Sequence, residues 1–381
     1  MAPLALDSTA HAPGTQAPPP APGAGPPGAG PPGAAQVEAW LQAAFGDEAL
    51  RVARLDGEAV GGGQLASTLR LRVHLATPAG RPPLQLVCKL PSANPATRAA
   101  VTAMGLYRTE LEAYRHAGLL AGVDTPRCLH AGGLGFDDGF VLLLEDIAPA
   151  RQVSHQSECN DEDVLAAIEA AAALHRSTRG QFTDAMPPFL LEKQRREIQN
   201  LRLLPQAIQR FRAMFGHMLT LEELAHVDAL ARVYPRVLQS KGRNLTLQHG
   251  DYRLQNLLFD ARGQPGRVCV LDWQTLRLGH GLADIASLLG GSLETPRRRR
   301  RERELLAFYG QALEGRGDAG TSADALWLEY CRWAVYALGS TLLSLVLMQD
   351  ESQSESFLIL MRRHLRQVAD LDSMALWMLA L

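Results

Sequence analysis

The chain has 381 residues, 46% of them hydrophobic and 20% charged, with a formal net charge of −2. That length supports a substantial core in two lobes, and the near-zero charge gives no reason to expect a nucleic-acid partner or an anionic membrane surface. The five cysteines (Cys88, Cys128, Cys159, Cys269, Cys331) are scattered, odd in number and form no CxxC pair. They argue against a disulfide framework or a structural zinc site and fit a reducing, cytoplasmic setting.

Residues 1–34 are Pro, Gly and Ala with almost nothing to bury, so a disordered tail is expected there. No basic segment followed by an apolar core opens the chain, so no signal peptide is expected. Order should begin near Gln36, where Val37, Trp40, Leu41, Ala44 and Phe45 make one helical stripe. Residues 51–58 alternate weakly and run into Gly61, Gly62 and Gly63. Residues 68–75 alternate cleanly, with Leu69, Leu71, Val73 and Leu75 on one face. A third strand, 84–90, carries Lys89. Asn94-Pro95 opens what reads as one long helix to about Gly118, with Glu110 inside it. Residues 139–147 are a further apolar strand ending in Glu145-Asp146.

Beyond residue 150 the pattern turns helical. Residues 164–175 are amphipathic, and 189–240 read as several helices broken by Pro205 and Pro235. A β-like island spans 245–273, and helices follow to the end. The arginine run Arg297 to Arg301 follows a Thr295-Pro296 helix start and reads as a solvated helix face. Residues 334–348 are strongly apolar but short of a bilayer span, so they read as a core helix. The whole is an α+β pattern: a small β-rich N-lobe (35–147) and a larger helical C-lobe (148–381).

The strongest chemical signal is His249-Gly250-Asp251-Tyr252-Arg253-Leu254-Gln255-Asn256, followed by the apolar strand 268–271 ending in Asp272-Trp273. Phosphoryl transfer needs a carboxylate to orient and deprotonate the attacking hydroxyl, and oxygen ligands to hold Mg²⁺ against phosphates. Asp251 supplies the first. Asn256, at the far end of the same tight loop, and Asp272, closing a strand, supply the second. The alternative is a pair of turn carboxylates, but Leu271 and Trp273 around Asp272 argue against an exposed loop.

These residues resemble the aminoglycoside phosphotransferase and choline kinase superfamily. The fuller string Asp272-Trp273-Gln274 with Gly281-Leu282-Ala283-Asp284-Ile285-Ala286 is similar to its ecdysteroid-kinase-like branch and to related bacterial phosphotransferases. The resemblance runs from about residue 50 to 350. It implies ATP, magnesium and a bilobal protein-kinase-like fold, without fixing a substrate.

Lys89 is the second signal. Of 38 Lys and Arg residues only Lys89, Lys193 and Lys241 are lysines, yet one of them stands inside an apolar strand. A compact ammonium suits the α- and β-phosphates of ATP; a snorkelling edge-strand lysine is the alternative. The resemblance and helical phase select Glu110 as its partner, with Glu112, about 200° around the helix, as the rival. Gly61, Gly62 and Gly63 sit where a phosphate-covering loop would, with Ser67 as a further hydroxyl, although three glycines between strands also serve as a plain turn. Residues 142–147 resemble an interlobe hinge whose backbone, from Glu145 to Ile147, would bind the adenine edge. His249 and Asp284 read as braces of the catalytic loop, and His175 as a packing residue.

The expected activity is therefore an ATP-dependent kinase acting on a hydroxyl of a small molecule. A protein kinase is disfavoured because about a dozen residues separate Asp272 from Asp284, too few for a long activation loop. An inactive kinase-like binding protein is disfavoured because Lys89, Asp251, Asn256 and Asp272 are all present. Residues 183–246 stand where the superfamily builds its acceptor pocket. They hold six acidic and ten basic residues, a balance that counts against polycationic acceptors. Their apolar residues suit a hydrophobic alcohol, and core packing equally.

Overall fold

The computed structural model describes residues 31–60, 65–76, 82–132, 140–153, 159–182, 186–240, 245–314, 322–348 and 354–379. The tail to residue 30 and the glycines Gly61, Gly62 and Gly63 lie outside the described residues.

The chain begins with α1 (Ala34–Phe45), then β1 (Val52–Ala59), β2 (Ala66–Leu75) and β3 (Leu84–Pro91). Next come α2 (Pro95–Met104), α3 (Leu106–Arg115), β4 (Cys128–Gly132) and β5 (Val141–Glu145). The five strands form one antiparallel sheet in the order β1-β2-β3-β5-β4. Strand periodicity gives this sheet two different faces. Leu71, Val73, Leu86, Cys88, Val141 and Leu143 point one way and bury against Val37 and Leu41 of α1. The alternate residues of β3, Val87 and Lys89, point the other way, in register with Leu144 and Leu142. That second face looks onto α3 and the C-lobe, which is why a lysine there meets a helix rather than solvent.

The single long helix expected after Asn94 is two helices. The Asn94 side chain caps α2 by accepting from the Ala96 and Thr97 amides, and Pro95 takes the first helical position. Gly105 then adopts a left-handed backbone (φ 75°), ending α2 and starting α3 in a new direction. The break frees α3 to pack its own buried stripe, Leu106, Tyr107, Glu110, Leu111 and Tyr114, against the sheet and the C-lobe.

The C-lobe opens with β6 (Arg151–Gln152) and α4 (Asp161–Thr178), then α5 (Pro188–Asn200), α6 (Leu204–Phe215) and α7 (Leu221–Gln239). Pro205 stands at the start of α6, as expected, but Pro235 lies inside α7 and does not end it. The β island resolves into β7 (Thr246–Gln248), β8 (Leu257–Phe259), β9 (Val268–Val270) and β10 (Arg277–Gly279). β7 pairs with β10, and β8 with β6 and β9. Then come α8 (Gly281–Ser292), α9 (Thr295–Glu314), α10 (Ala323–Ser344), α11 (Ser354–Asp370) and α12 (Ser373–Met378).

The main core gathers around α8 and α10. The segment Ala323–Leu347 is long and apolar enough to cross a membrane, longer than the sequence suggested, and 72% of its apolar window is buried inside the fold. The arginine run is a solvated face only in part, with Arg299 and Arg300 exposed. Arg298 is buried and bonds Glu302 and Asp370, Arg299 joins Asp370, and Arg297 and Arg301 both reach Asp161. Four arginines thus tie α9 to the start of α4 and the end of α11. Spacing alone could not show this, because their partners are far away in sequence.

Gly105 is a sharp test of this architecture. A Cβ there would sit 2.6 Å from Arg196 Cδ as well as in a left-handed conformation. Gly105→Ala should therefore destabilise the chain by roughly 1–2 kcal/mol from backbone strain alone. Urea unfolding of the variant checks this.

Candidate active site

The cleft between the lobes collects the polar residues singled out above. Lys89 Nζ lies 2.5 Å from Glu110 Oε1 on α3 and 3.0 Å from Asp272 Oδ1, which follows β9. One ammonium therefore joins the N-lobe sheet, the N-lobe helix and the C-lobe. Glu110 is 2% exposed. Burial pushes its carboxyl up to about 7, against the pull of Lys89. For Asp272 burial also pushes upward, but the Lys89 charge and hydrogen bond outweigh it and its carboxyl is lowered. Burial acts against the charge of Lys89 too, and Asp272 and Glu110 together overcome it, so the ammonium is held more firmly than usual. Glu112, the rival, faces away and pairs with Arg115 and His116.

The catalytic-loop candidate is built by a few specific contacts. Gly250 turns at φ 85°, and a Cβ there would meet the Thr275 carbonyl at 2.6 Å, so only glycine fits this close approach. Asp251 follows with 32% of its side chain exposed in the cleft. Asn256 Nδ2 donates both to the Asp251 carbonyl (2.8 Å) and to Asp251 Oδ2 (3.1 Å), closing the loop on itself. Arg253 Nε stands 3.2 Å from the same carboxylate oxygen. Burial raises the Asp251 carboxyl, while Arg253 and His249 act in the opposite sense.

His249 is pinned on both ring nitrogens. Its Nε2 lies 2.8 Å from the Leu271 carbonyl, its Nδ1 accepts from the Asp251 amide, and its ring packs on Trp273. Thr275 Oγ1 donates to the His249 carbonyl at 2.8 Å. Asp284, fully buried on the first turn of α8, accepts from the His249 amide (2.7 Å) and the Gly250 amide (2.9 Å). His175 Nε2 lies 3.2 Å from the same carboxylate. His175 is thus part of the brace and not only packing.

Other expected site residues stand differently. The Glu145 side chain is held by Arg262 at 2.8 Å. Its amide donates to the Arg127 carbonyl, and the Asp146 amide to Gln85. Among the described residues the Ile147 amide and carbonyl make no backbone hydrogen bond. Ser67 Oγ accepts from the Ala93 amide at 3.3 Å, securing the turn after β3. In the insertion, Phe189, Leu190, Phe211 and Phe215 are buried in the main core, so packing accounts for them.

Sequence reasoning gave no role to Gln274, whose Nε2 donates to Asp272 Oδ2 at 2.9 Å, or to Thr125, which accepts from Trp273 Nε1 at 2.9 Å. Gln274 stood beside Asp272 in a quoted string. Thr125 left no signal, being 148 residues from its partner.

No group of three or more His, Cys, Asp or Glu that could hold a metal occurs among the described residues. The two oxygen donors here fit magnesium differently. Both Nδ2 hydrogen bonds of Asn256 go to Asp251, its Oδ1 has no protein donor among the described residues, and Asp272 adds an anionic oxygen. Mg²⁺ is commonly held by one or two protein oxygens together with phosphates and water.

The sequence matches the phosphotransferase enzyme family over residues 56–327, and the chain belongs to that family. No match is found among curated protein sequences. The fold is similar to that of choline kinase from Cryptosporidium parvum Iowa II, with a TM-score of 0.52 at 12% identity, covering 84% of this chain and 91% of that one. A spectinomycin phosphotransferase in complex with ADP and spectinomycin gives 0.48 at 12% identity, over 90% and 100% of the two chains. A choline/ethanolamine kinase family protein from Mesorhizobium loti gives 0.44 at 18%, over 89% and 94%. The architecture is the bilobal, protein-kinase-like α+β fold.

Asp284 carries the loop, so its loss should be costly. Asp284→Ala leaves two buried backbone amides and His175 without their acceptor. A destabilisation of about 3 kcal/mol or more is expected in urea unfolding.

Proposed function

We infer that the protein is an ATP-dependent small-molecule kinase that transfers the γ-phosphate to a substrate hydroxyl. The observation that carries this reading is the triad of Lys89, Glu110 and Asp272, drawn together from β3, α3 and the end of β9 and facing the Asp251–Asn256 loop. Family membership supports the phosphotransferase class.

In this reading Lys89, steadied by Glu110, takes the α- and β-phosphates, and the hinge groups of Ile147 take the adenine edge. Asp272 and Asn256 Oδ1 would hold Mg²⁺, which when bound neutralises phosphate charge. Asp251 orients the acceptor hydroxyl and receives its proton as the oxygen bonds to the γ-phosphorus. The bond from that phosphorus to the β–γ bridging oxygen breaks, and ADP leaves with the electron pair. The raised carboxyl of Asp251 suits a proton acceptor working nearer neutrality. Between Asp272 and α8 the chain spends only a single 3-10 turn and β10, which favours a small acceptor over a protein substrate.

Turnover of Asp251→Asn, in a phosphate-transfer screen against hydroxyl metabolites, should fall by about 10²–10⁴-fold with nucleotide affinity nearly kept. Near-normal turnover in that variant would sink the assignment. Asp272→Ala should remove the magnesium dependence of nucleotide binding, measured by calorimetry with and without Mg²⁺. Lys89→Arg, which keeps charge but not shape, should impair transfer far more than folding, and Glu110→Gln should give a milder version. A kinetically silent Lys89→Arg would refute the phosphate-clamp role.

A further inference from the structure

The hairpin of β8 and β9 has Asn256 at one root and Asp272 at the other. Its strands pair Leu257 with Val270 and Phe259 with Val268, and the Leu271 amide donates to the Asn256 carbonyl at 2.9 Å. The two roots are therefore fastened to each other. At its far end the hairpin's turn, residues 260–267, meets the end of β5 in the N-lobe.

That turn aims one side chain. Asp260, Arg262 and Gly263 all have left-handed backbones, with φ of 51°, 57° and 71°. Glycine enters that region freely, aspartate sometimes and arginine rarely. The shape is held by the Ala261 amide, which donates to the Arg267 carbonyl at 3.0 Å, and by the Gly266 amide, which donates to Asp260 Oδ1 at 3.0 Å. Arg262 is committed to two N-lobe carboxylates. Its Nε and Nη2 donate to Glu145 Oε1 and Oε2, each at 2.8 Å. Its Nη1 donates to Asp124 Oδ1 at 3.0 Å and Oδ2 at 2.8 Å. Arg267 Nε adds a bond to Asp124 Oδ2 at 2.6 Å. Two arginines face two carboxylates, so the cluster is a joint rather than a site for an ion. A guanidinium fork on a carboxylate fixes orientation as well as distance.

The segment after β5 joins the same hairpin. Ile147 packs on Ala261 and Cys269, and the Gly263 amide donates to the Pro149 carbonyl at 3.0 Å. The Asp124 carbonyl accepts from the Val270 amide at 2.8 Å, so the stretch before β4 is tied to β9 by backbone alone. Glu145 is different: among the described residues Arg262 is the only C-lobe side chain bonded to it.

We propose that Arg262 is a positioning residue for the nucleotide: gripping Glu145 from the hairpin that carries Asn256 and Asp272, it presets the span between the strand end that takes adenine and the oxygens that take magnesium. This role rests on the kinase reading, whose failure shows separately, as absent nucleotide binding. Arg262 touches neither end of the nucleotide. A ligand held at both ends gains from a preset span, and a fragment held at one end does not.

The test is calorimetry on the full chain with three probes. Magnesium-ADP spans both ends, adenosine reaches only the first, and magnesium pyrophosphate only the second. Arg262→Lys keeps the charge and loses the fork, and Glu145→Gln keeps the shape and loses the charge. Both should fold, as melting curves will show. In each, magnesium-ADP should bind about tenfold more weakly, with either fragment changed by less than about twofold. The double variant should be no weaker than the single ones, because both break one joint. Unchanged magnesium-ADP binding in the variants overturns the role, even with a lowered melting temperature. Fragments that weaken in step with magnesium-ADP, or losses that add in the double variant, overturn it as well. A parent protein that does not bind magnesium-ADP refutes the kinase reading and this role with it.

Discussion

The cleft between the two lobes is organised around one ammonium shared by two carboxylates. Lys89, on β3, touches both α3 and the strand end carrying Asp272. Three ionisable groups with a net charge of −1 are packed where little water reaches. The stress falls on the most buried member, and the rise of Glu110 to about 7 expresses it. Such a triad contributes little to stability, because desolvation consumes most of the Coulomb gain. Its value lies in geometry, and in being incomplete. The triad carries one formal negative charge in excess, and among the described residues the Asn256 Oδ1 nearby has no protein donor.

The Asp251–Asn256 loop is held from the opposite side by a second carboxylate with a contrary design. Asp284 is fully buried and saturated, with two backbone amides and a histidine around it. Asp251 is partly open, and Asn256 leaves it room to act. The two aspartates belong to one constellation with opposite surroundings: Asp284 is immobilised by its partners, and Asp251 stays partly exposed in the cleft. The left-handed turn at Gly250 separates them, and that is why a side chain cannot be accommodated there.

Much of this was legible in the sequence, for reasons that can be stated. Lys89 stood out because a chain that prefers arginine placed a lysine in an apolar strand, and period-two alternation then dictates which face it takes. That Asp251 and Asn256 share one tight loop, and that Asp272 closes a strand, was legible because loop and strand spacing is local. The break between α2 and α3 was missed because Gly105 lies in an otherwise helical pattern, and a helical pattern tolerates an isolated glycine. The arginines of α9 were misread because a charge run looks solvated until its partners, Asp161 and Asp370, are brought in by tertiary packing. Pro235 shows the reverse error: a local breaker overridden by a helix with buried residues on both sides of it.

The brace behind the Asp251–Asn256 loop was the least legible feature, and the reason is physical. Its members come from α4, β7, α8 and α9, and no spacing rule joins them. Each has an innocent local reading: His175 in an amphipathic helix, Thr246 at a strand start, Asp284 in the first turn of a helix. Only assembly shows that His175 joins Tyr309 to Asp284, and that Asp284 in turn holds the amides of His249 and Gly250. A residue that serves two neighbours in this way cannot move for one without the other registering it.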